Sequence, residues 1–169
     1  MAGLLTVGVM LGSIWIQFNV LNNIPLFGVK ANIGIIFVVA IGILCGEKIG
    51  ISVGISYGIL LDILTGKSLG LYALLFFLVG FFCGKISHGF SKENKSSIIM
   101  IVAVATILFE IAAYFMFVIC YGYDFSLLRF IVITILEAIY NIFIAWVFFK
   151  PLSLLSEIIN KGKRSYYLL

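Results

Sequence analysis

The chain has 169 residues, of which 63% are hydrophobic and only 11% are charged, whereas soluble domains average about 45–50% apolar and 25% charged residues. Such a sequence has too little polar surface to cover a globule, and its mean hydropathy of +1.25 indicates a membrane protein. The composition excludes a disordered chain, a disulfide scaffold and a nucleic-acid-binding domain, because these need low hydrophobicity, dense cysteine or a solvated basic surface.

Six apolar stretches separated by short polar loops predict an all-α, polytopic helix bundle that forms a single transmembrane domain over residues 1–169. The second and third stretches are short for the about 20 residues that a span requires, so a five-span arrangement stays open. The first stretch has no basic segment or cleavage site before it and is expected to be retained as a span. The stretches are 3–21, 31–45, 49–64, 69–86, 98–121 and 128–149.

The net charge of +4 is explained by the positions of the basic residues in the loops. With six spans, eight lysines and arginines lie on the side of the two termini and three lie on the other side. Because positive residues mark the cytoplasmic face, both termini are expected inside the cell, with residues 150–169 as a short basic cytoplasmic tail. The first group is Lys48, Lys85, Lys92, Lys95, Lys150, Lys161, Lys163 and Arg164, and the second is Lys30, Lys67 and Arg129.

The residues that usually carry catalysis or bind metals are sparse. The three cysteines, Cys45, Cys83 and Cys120, lie far apart in apolar runs, and the single histidine, His88, lies in a basic loop. No metal-ligand spacing, phosphate-binding loop or nucleophile motif is present. The sequence therefore predicts no catalytic residue, no metal and no cofactor.

Glycines recur every four residues from Gly42 to Gly58, and this rhythm includes Gly50 and Gly54. A stripe of this kind lets another backbone approach closely, so these glycines are candidates for packing within the bundle or for contact with a partner helix. The next position in the rhythm is Asp62, which precedes a turn containing Gly66 and Gly70. Two interpretations stay open for Asp62: it stabilises this turn or caps the fourth helix, or it contacts a partner or ligand.

Two glutamates are predicted near the middle of the bilayer. Glu110 lies about 18 Å from the inner end of the fifth predicted helix, and Glu137 lies about 13 Å from the outer end of the sixth. A short loop joins these helices, so the two carboxyl groups are expected to approach each other. Tyr140 and Asn141 follow Glu137 on one helical face as possible hydrogen-bond partners. The group is interpreted either as a polar network that locks helix packing or as a proton-relay or ligand site.

Four segments together resemble one known family. They are FGVKAN at 27–32, GISYGILLDILTGKSLGLYALL at 54–75, FEIAAY at 109–114 and LEAIYN at 136–141. In these segments, and in length and span number, the chain resembles the MreD family of rod shape-determining proteins. The resemblance covers most of the sequence.

The resemblance implies a non-catalytic scaffold or regulator of peptidoglycan synthesis in the bacterial plasma membrane. It implies association with MreC, the MreB filament, the RodA polymerase and the elongation-class penicillin-binding transpeptidase. It also implies a fold similar to the substrate-capture subunits of energy-coupling-factor vitamin transporters. The alternative function is therefore such a subunit, with Asp62, Gln17, Asn19 and the glutamates around an outward-opening pocket; an intramembrane enzyme is a more distant alternative.

Overall fold

The structure is a computed structural model that describes residues 2–25, 27–66, 70–87, 95–122 and 126–166. These residues form an all-helical bundle of six α-helices, with a short 3-10 helix at Leu21–Asn23. The helices are α1 (Ala2–Asn19), α2 (Ile33–Cys45), α3 (Glu47–Thr65), α4 (Leu71–Ile86), α5 (Lys95–Tyr121) and α6 (Leu127–Tyr166). The all-α prediction is confirmed. His88, Lys92 and Lys67 lie outside the described residues.

Three of these helices are long and apolar enough to cross a membrane: α3, α5 and the Leu127–Asn160 part of α6. The other three contain shorter apolar segments at Leu4–Asn19, Ile33–Cys45 and Leu71–Ile86. The described part of the chain is therefore a membrane-type helix bundle in length and composition.

Helix α2 forms the centre of the bundle. All 13 of its residues are buried, and it contacts each of the other five α-helices. Its sequence, IGIIFVVAIGILC, has no polar face to turn outwards. A helix that is apolar all round is stable only when it is surrounded, which explains its central position.

Aromatic rings connect four helices through the core. The ring centroids of Phe37 and Tyr57 lie 6.1 Å apart, those of Tyr57 and Phe76 lie 5.1 Å apart, and those of Phe76 and Phe109 lie 4.9 Å apart. Aromatic pairs at these separations contribute beyond the area they bury. The row joins α2, α3, α4 and α5 in that order.

Helix α6 is longer than the predicted stretch, which ends at residue 149. It continues through Pro151 as far as Tyr166, so much of the predicted basic tail is helical. Leu152, Leu155 and Ile159 are buried on the bundle side of this extension. The Asn160 side chain donates to the Leu44 carbonyl at the end of α2, at 3.0 Å. These contacts keep the segment helical despite the hydrogen bond that a proline removes.

Candidate functional site

The glycine stripe of α3 packs against α4 of the same chain. A Cβ atom on Gly50 would lie 2.7 Å from the Gly80 carbonyl oxygen, and one on Gly54 would collide with the Phe76 backbone. A Cβ atom on Gly58 would collide with the Ala73 backbone. Small residues thus bring the two helix backbones together, as their spacing predicts. Because α4 covers this face, these three glycines are not available to a partner helix.

The turn after α3 contains the other two glycines of the motif. Gly66 ends α3 with a φ of +60°, and Gly70 precedes α4 with a φ of +94°. Both angles lie in the left-handed region that favours glycine. These positions shape the turn, and a Cβ atom on either would meet open space.

Asp62 joins the end of α3 to the start of α4. Its Oδ2 accepts hydrogen bonds from the backbone N–H groups of Gly70 and Ala73, both at 3.0 Å, and its Oδ1 accepts one from Tyr72 at 3.1 Å. The side chain is only 3% exposed. The first N–H groups of a helix have no partner within the helix, so a carboxylate here satisfies them and complements the helix dipole. This is the capping arrangement that the first interpretation of Asp62 predicts.

Glu110 and Glu137 meet between α5 and α6. Their carboxyl groups lie within hydrogen-bond reach of each other, and Glu137 also contacts the Asn141 side chain. Glu137 lies ten residues into α6, about 15 Å from its start. The expected approach of the two glutamates is confirmed.

Asn141 holds three helices together, whereas Tyr140 points elsewhere. The Asn141 Oδ1 accepts from the Asn32 backbone N–H at 2.7 Å, and its Nδ2 donates to the Thr106 hydroxyl at 3.0 Å. The Tyr140 hydroxyl donates to the Ile24 carbonyl at 3.1 Å. Tyr140 therefore fastens the segment before α2 and does not donate to Glu137, which corrects that part of the expectation.

Gln17 makes a contact that the sequence analysis missed. Its Nε2 donates to the Ala31 carbonyl and its Oε1 accepts from the Ile33 backbone N–H, both at 2.9 Å. The nitrogen and the oxygen of the amide thus both bond the last turn of α1 to the backbone at the start of α2. The signal in the sequence was an amide within an apolar helix, where a polar side chain has to find a partner.

A cavity of about 800 Å³ lies at the end of the bundle where α1 ends and α2 begins. It reaches the carboxyl groups of Glu110 and Glu137 and has Gln17 and Lys30 in its wall. Asp62 and Asn19 do not line it. The structure thus brings Gln17 and the two glutamates to one cavity and leaves Asp62 and Asn19 out of its described lining.

Two glycines of α1 were not singled out from the sequence. Positions 8 and 12 form a G-x-x-x-G pattern, and a Cβ atom on either Gly8 or Gly12 would meet nothing within 4 Å. Both glycines are exposed. The G-x-x-x-G pattern is visible in the sequence. Its exposure could not be predicted, because the packing of the other helices decides which glycines are covered.

The described side chains do not point to a reaction. Among them, no group of three or more histidine, cysteine, aspartate or glutamate residues could hold a metal ion. The polar side chains described above mostly cap helices or join them to one another. These features define a helical membrane-protein bundle whose intramembrane polar groups fasten its own helices.

Comparison with known families identifies the group more closely. The family described as rod shape-determining protein MreD matches residues 2–159, which is nearly the whole chain, and the chain belongs to this family. Its role is thus in determining rod shape, as a component of a generally non-enzymatic kind. No curated protein and no solved structure matches the chain.

Proposed function

We propose that the chain is a non-catalytic membrane scaffold and regulator of the bacterial cell-elongation machinery, needed for rod shape and for lateral peptidoglycan synthesis. The family match over residues 2–159 carries this proposal. The partners we propose are MreC, MreB, RodA and the elongation-class penicillin-binding transpeptidase. The internal use of the polar side chains supports a role in binding partners more than a role in chemistry.

We propose that all six helices span the plasma membrane and that both termini are cytoplasmic. The eight-to-three distribution of basic residues supports this orientation. Helix α2, with 13 residues, is about 20 Å long, which is shorter than the hydrocarbon core. It is shielded from lipid by the other five helices, so its ends do not have to reach the bilayer surface. We propose that the bundle in this arrangement is similar in fold to the transporter substrate-capture subunits, as the family resemblance implies.

A partner helix needs an open face, and α1 offers one. Of the glycines on the described helices, those of α2, α3 and α4 pack against this chain's own atoms, whereas Gly8 and Gly12 face open space. A groove of about 190 Å³ runs beside Gly12 between α1, α2 and α6 and is lined almost entirely by apolar side chains. A small-xxx-small face of this kind accepts the backbone of one apolar helix. We propose that this occupant is a membrane span of MreC.

Depletion in the encoding bacterium tests the scaffold role. We expect cells depleted of the protein to widen and round while a fluorescent cell-wall label is lost from the side walls. Re-expression of the wild-type chain restores rods. Cells that keep their width and side-wall labelling after complete depletion would refute the proposal.

The cavity at Glu110 and Glu137 favours a second candidate function, a substrate-capture subunit of a vitamin-type transporter. Depletion would then abolish the uptake of one small molecule and leave cell width unchanged. The same depleted cells distinguish the two functions, because shape and uptake are measured in one culture.

A further inference from the structure

The 800 Å³ cavity has the size and the wall chemistry of a ligand site. Pockets for small molecules measure about 300–1,000 Å³ and combine apolar and aromatic walls with a few convergent polar groups. This cavity reaches from the end of the bundle, beside the exposed Lys30, down to the two glutamates.

The floor of the cavity consists of two carboxyl groups, and no basic side chain of the described lining lies beside them. Glu137 is 7% exposed, and its carboxyl group faces that of Glu110. The Asn141 side chain beside it donates to Thr106 through one N–H of its Nδ2 and also contacts Glu137, but it carries no charge. Of the described residues that line the cavity, Lys30 is the basic one, and it lies at the mouth. The floor thus presents oxygen acceptors that a cation with several N–H donors would satisfy.

The walls above the floor are aromatic. Tyr72 of α4 and Phe117 of α5 meet edge to face with ring centroids 5.9 Å apart, and both line the cavity. The Phe109 ring packs against that of Phe76 with centroids 4.9 Å apart, and the Tyr114 ring packs against that of Phe130 with centroids 4.5 Å apart. Rings fixed in this way attract a positively charged group and pack against an apolar body attached to it.

We propose that this cavity binds a ligand with a protonated primary amine on an apolar or aromatic body, the amine between Glu110 and Glu137 and the body against Tyr72, Tyr114 and Phe117. The amine comes either from a soluble molecule or from the headgroup of an amino-phospholipid. Lys30 at the mouth suits an anionic group at the far end of the ligand. This site goes beyond the proposed scaffold role, and either proposal can hold without the other.

The test uses dansylcadaverine, a fluorescent aromatic primary amine, with the full chain in phosphatidylcholine nanodiscs. We expect saturable binding above that of empty nanodiscs, and at least about tenfold weaker binding to the Glu110→Gln/Glu137→Gln variant, since loss of a buried charged partner is costly. The matched control is Glu157→Gln, which removes an exposed carboxyl group of α6 outside the cavity. The N-acetylated probe, which has no charge, should not bind.

A second pair of variants leaves the carboxyl groups intact. Leu64 lines the cavity and is 56% exposed, whereas its neighbour Ile63 is 65% exposed and does not line it. Leu64→Trp should weaken probe binding, and Ile63→Trp should leave it unchanged.

Equal binding by wild type and the glutamate variant, or no saturable binding by folded wild-type protein, would overturn the proposal. Competition by added phosphatidylethanolamine would identify a lipid as the source of the amine, and its absence would identify a soluble ligand.

Discussion

The Asp62 carboxylate accepts a hydrogen bond at 3.0 Å from the backbone N–H of Ala73, eleven residues further along the chain. Ala73 is also the residue against which Gly58 packs. The same stretch of α4 is thus fixed to α3 by a hydrogen bond at the end of the helix and by close backbone packing one turn earlier. The aspartate and the glycines of the family motif belong to one structural unit, the α3–α4 hairpin.

Asp62→Asn should destabilise the protein. The amide keeps one acceptor oxygen and places N–H donors against the N–H groups of Gly70, Tyr72 and Ala73, so about 1–3 kcal/mol of stability is lost. The thermal unfolding midpoint in mild detergent measures the effect. Ser56→Ala, an exposed position on α3, is the control and should leave the midpoint unchanged. An Asp62→Asn midpoint equal to wild type would show that the cap contributes nothing.

Gly58→Leu should destabilise the protein, whereas Gly12→Leu should not. The side chain at Gly58 forces α4 away from α3, and overpacking of this kind costs about 1–3 kcal/mol or more. Gly12 faces open space, so Gly12→Leu should unfold at the wild-type temperature. Detergent unfolding curves of the two variants, side by side, check this. Equal destabilisation by both would contradict the internal role of the α3 stripe.

Gly12→Leu should instead weaken partner binding. The added side chain blocks backbone approach along α1, and we expect the yield of MreC that co-purifies with the tagged protein to fall at least about tenfold. Val132→Leu, which enlarges an exposed side chain of α6, is the matched control. An unchanged MreC yield with Gly12→Leu would place the partner helix on another face.

Asn141→Leu should destabilise the bundle more than Thr134→Val. The first change removes the acceptor of the Asn32 N–H and the donor to the Thr106 hydroxyl, which still donates to the Val102 carbonyl, at a cost of about 1–3 kcal/mol. The Thr134 hydroxyl is buried without a hydrogen-bond partner among the described residues, so its loss should cost little. Unfolding midpoints measure both, and the reverse order would remove the support for an Asn141 junction.

Cys120 reports the orientation of the chain. It is exposed near the end of α5, whereas Cys45 and Cys83 are buried. With cytoplasmic termini, a membrane-impermeant maleimide should label whole cells through Cys120 after the outer layers are permeabilised, and Cys120→Ser should abolish the labelling. Labelling seen only in inverted membrane vesicles would reverse the proposed topology.

The sequence predicted the helices well because long apolar runs bounded by polar turns have few alternatives in a membrane protein. It missed the extent of α6, because Pro151 and the charges after it resemble a helix end. What holds that segment is its contact with α2, such as the bond from Asn160 to Leu44, which involves residues far apart in the chain.

The sequence predicted only part of the candidate site, because spacing shows which residues share a helix face but not what packs against that face. Periodicity showed that Gly50, Gly54 and Gly58 share a face, but it could not show that α4 would cover it. The spacing of Glu110 and Glu137 in antiparallel helices sufficed to place them together. It did not show that a cavity would reach them, since its walls come from five helices and from the segment before α2.

Affinity purification of the tagged protein from its native membranes in mild detergent, followed by mass spectrometry, tests the scaffold function most directly. We predict recovery of MreC together with RodA and the elongation-class transpeptidase. Recovery of nucleotide-binding transport subunits in their place would contradict the scaffold function and support the transporter.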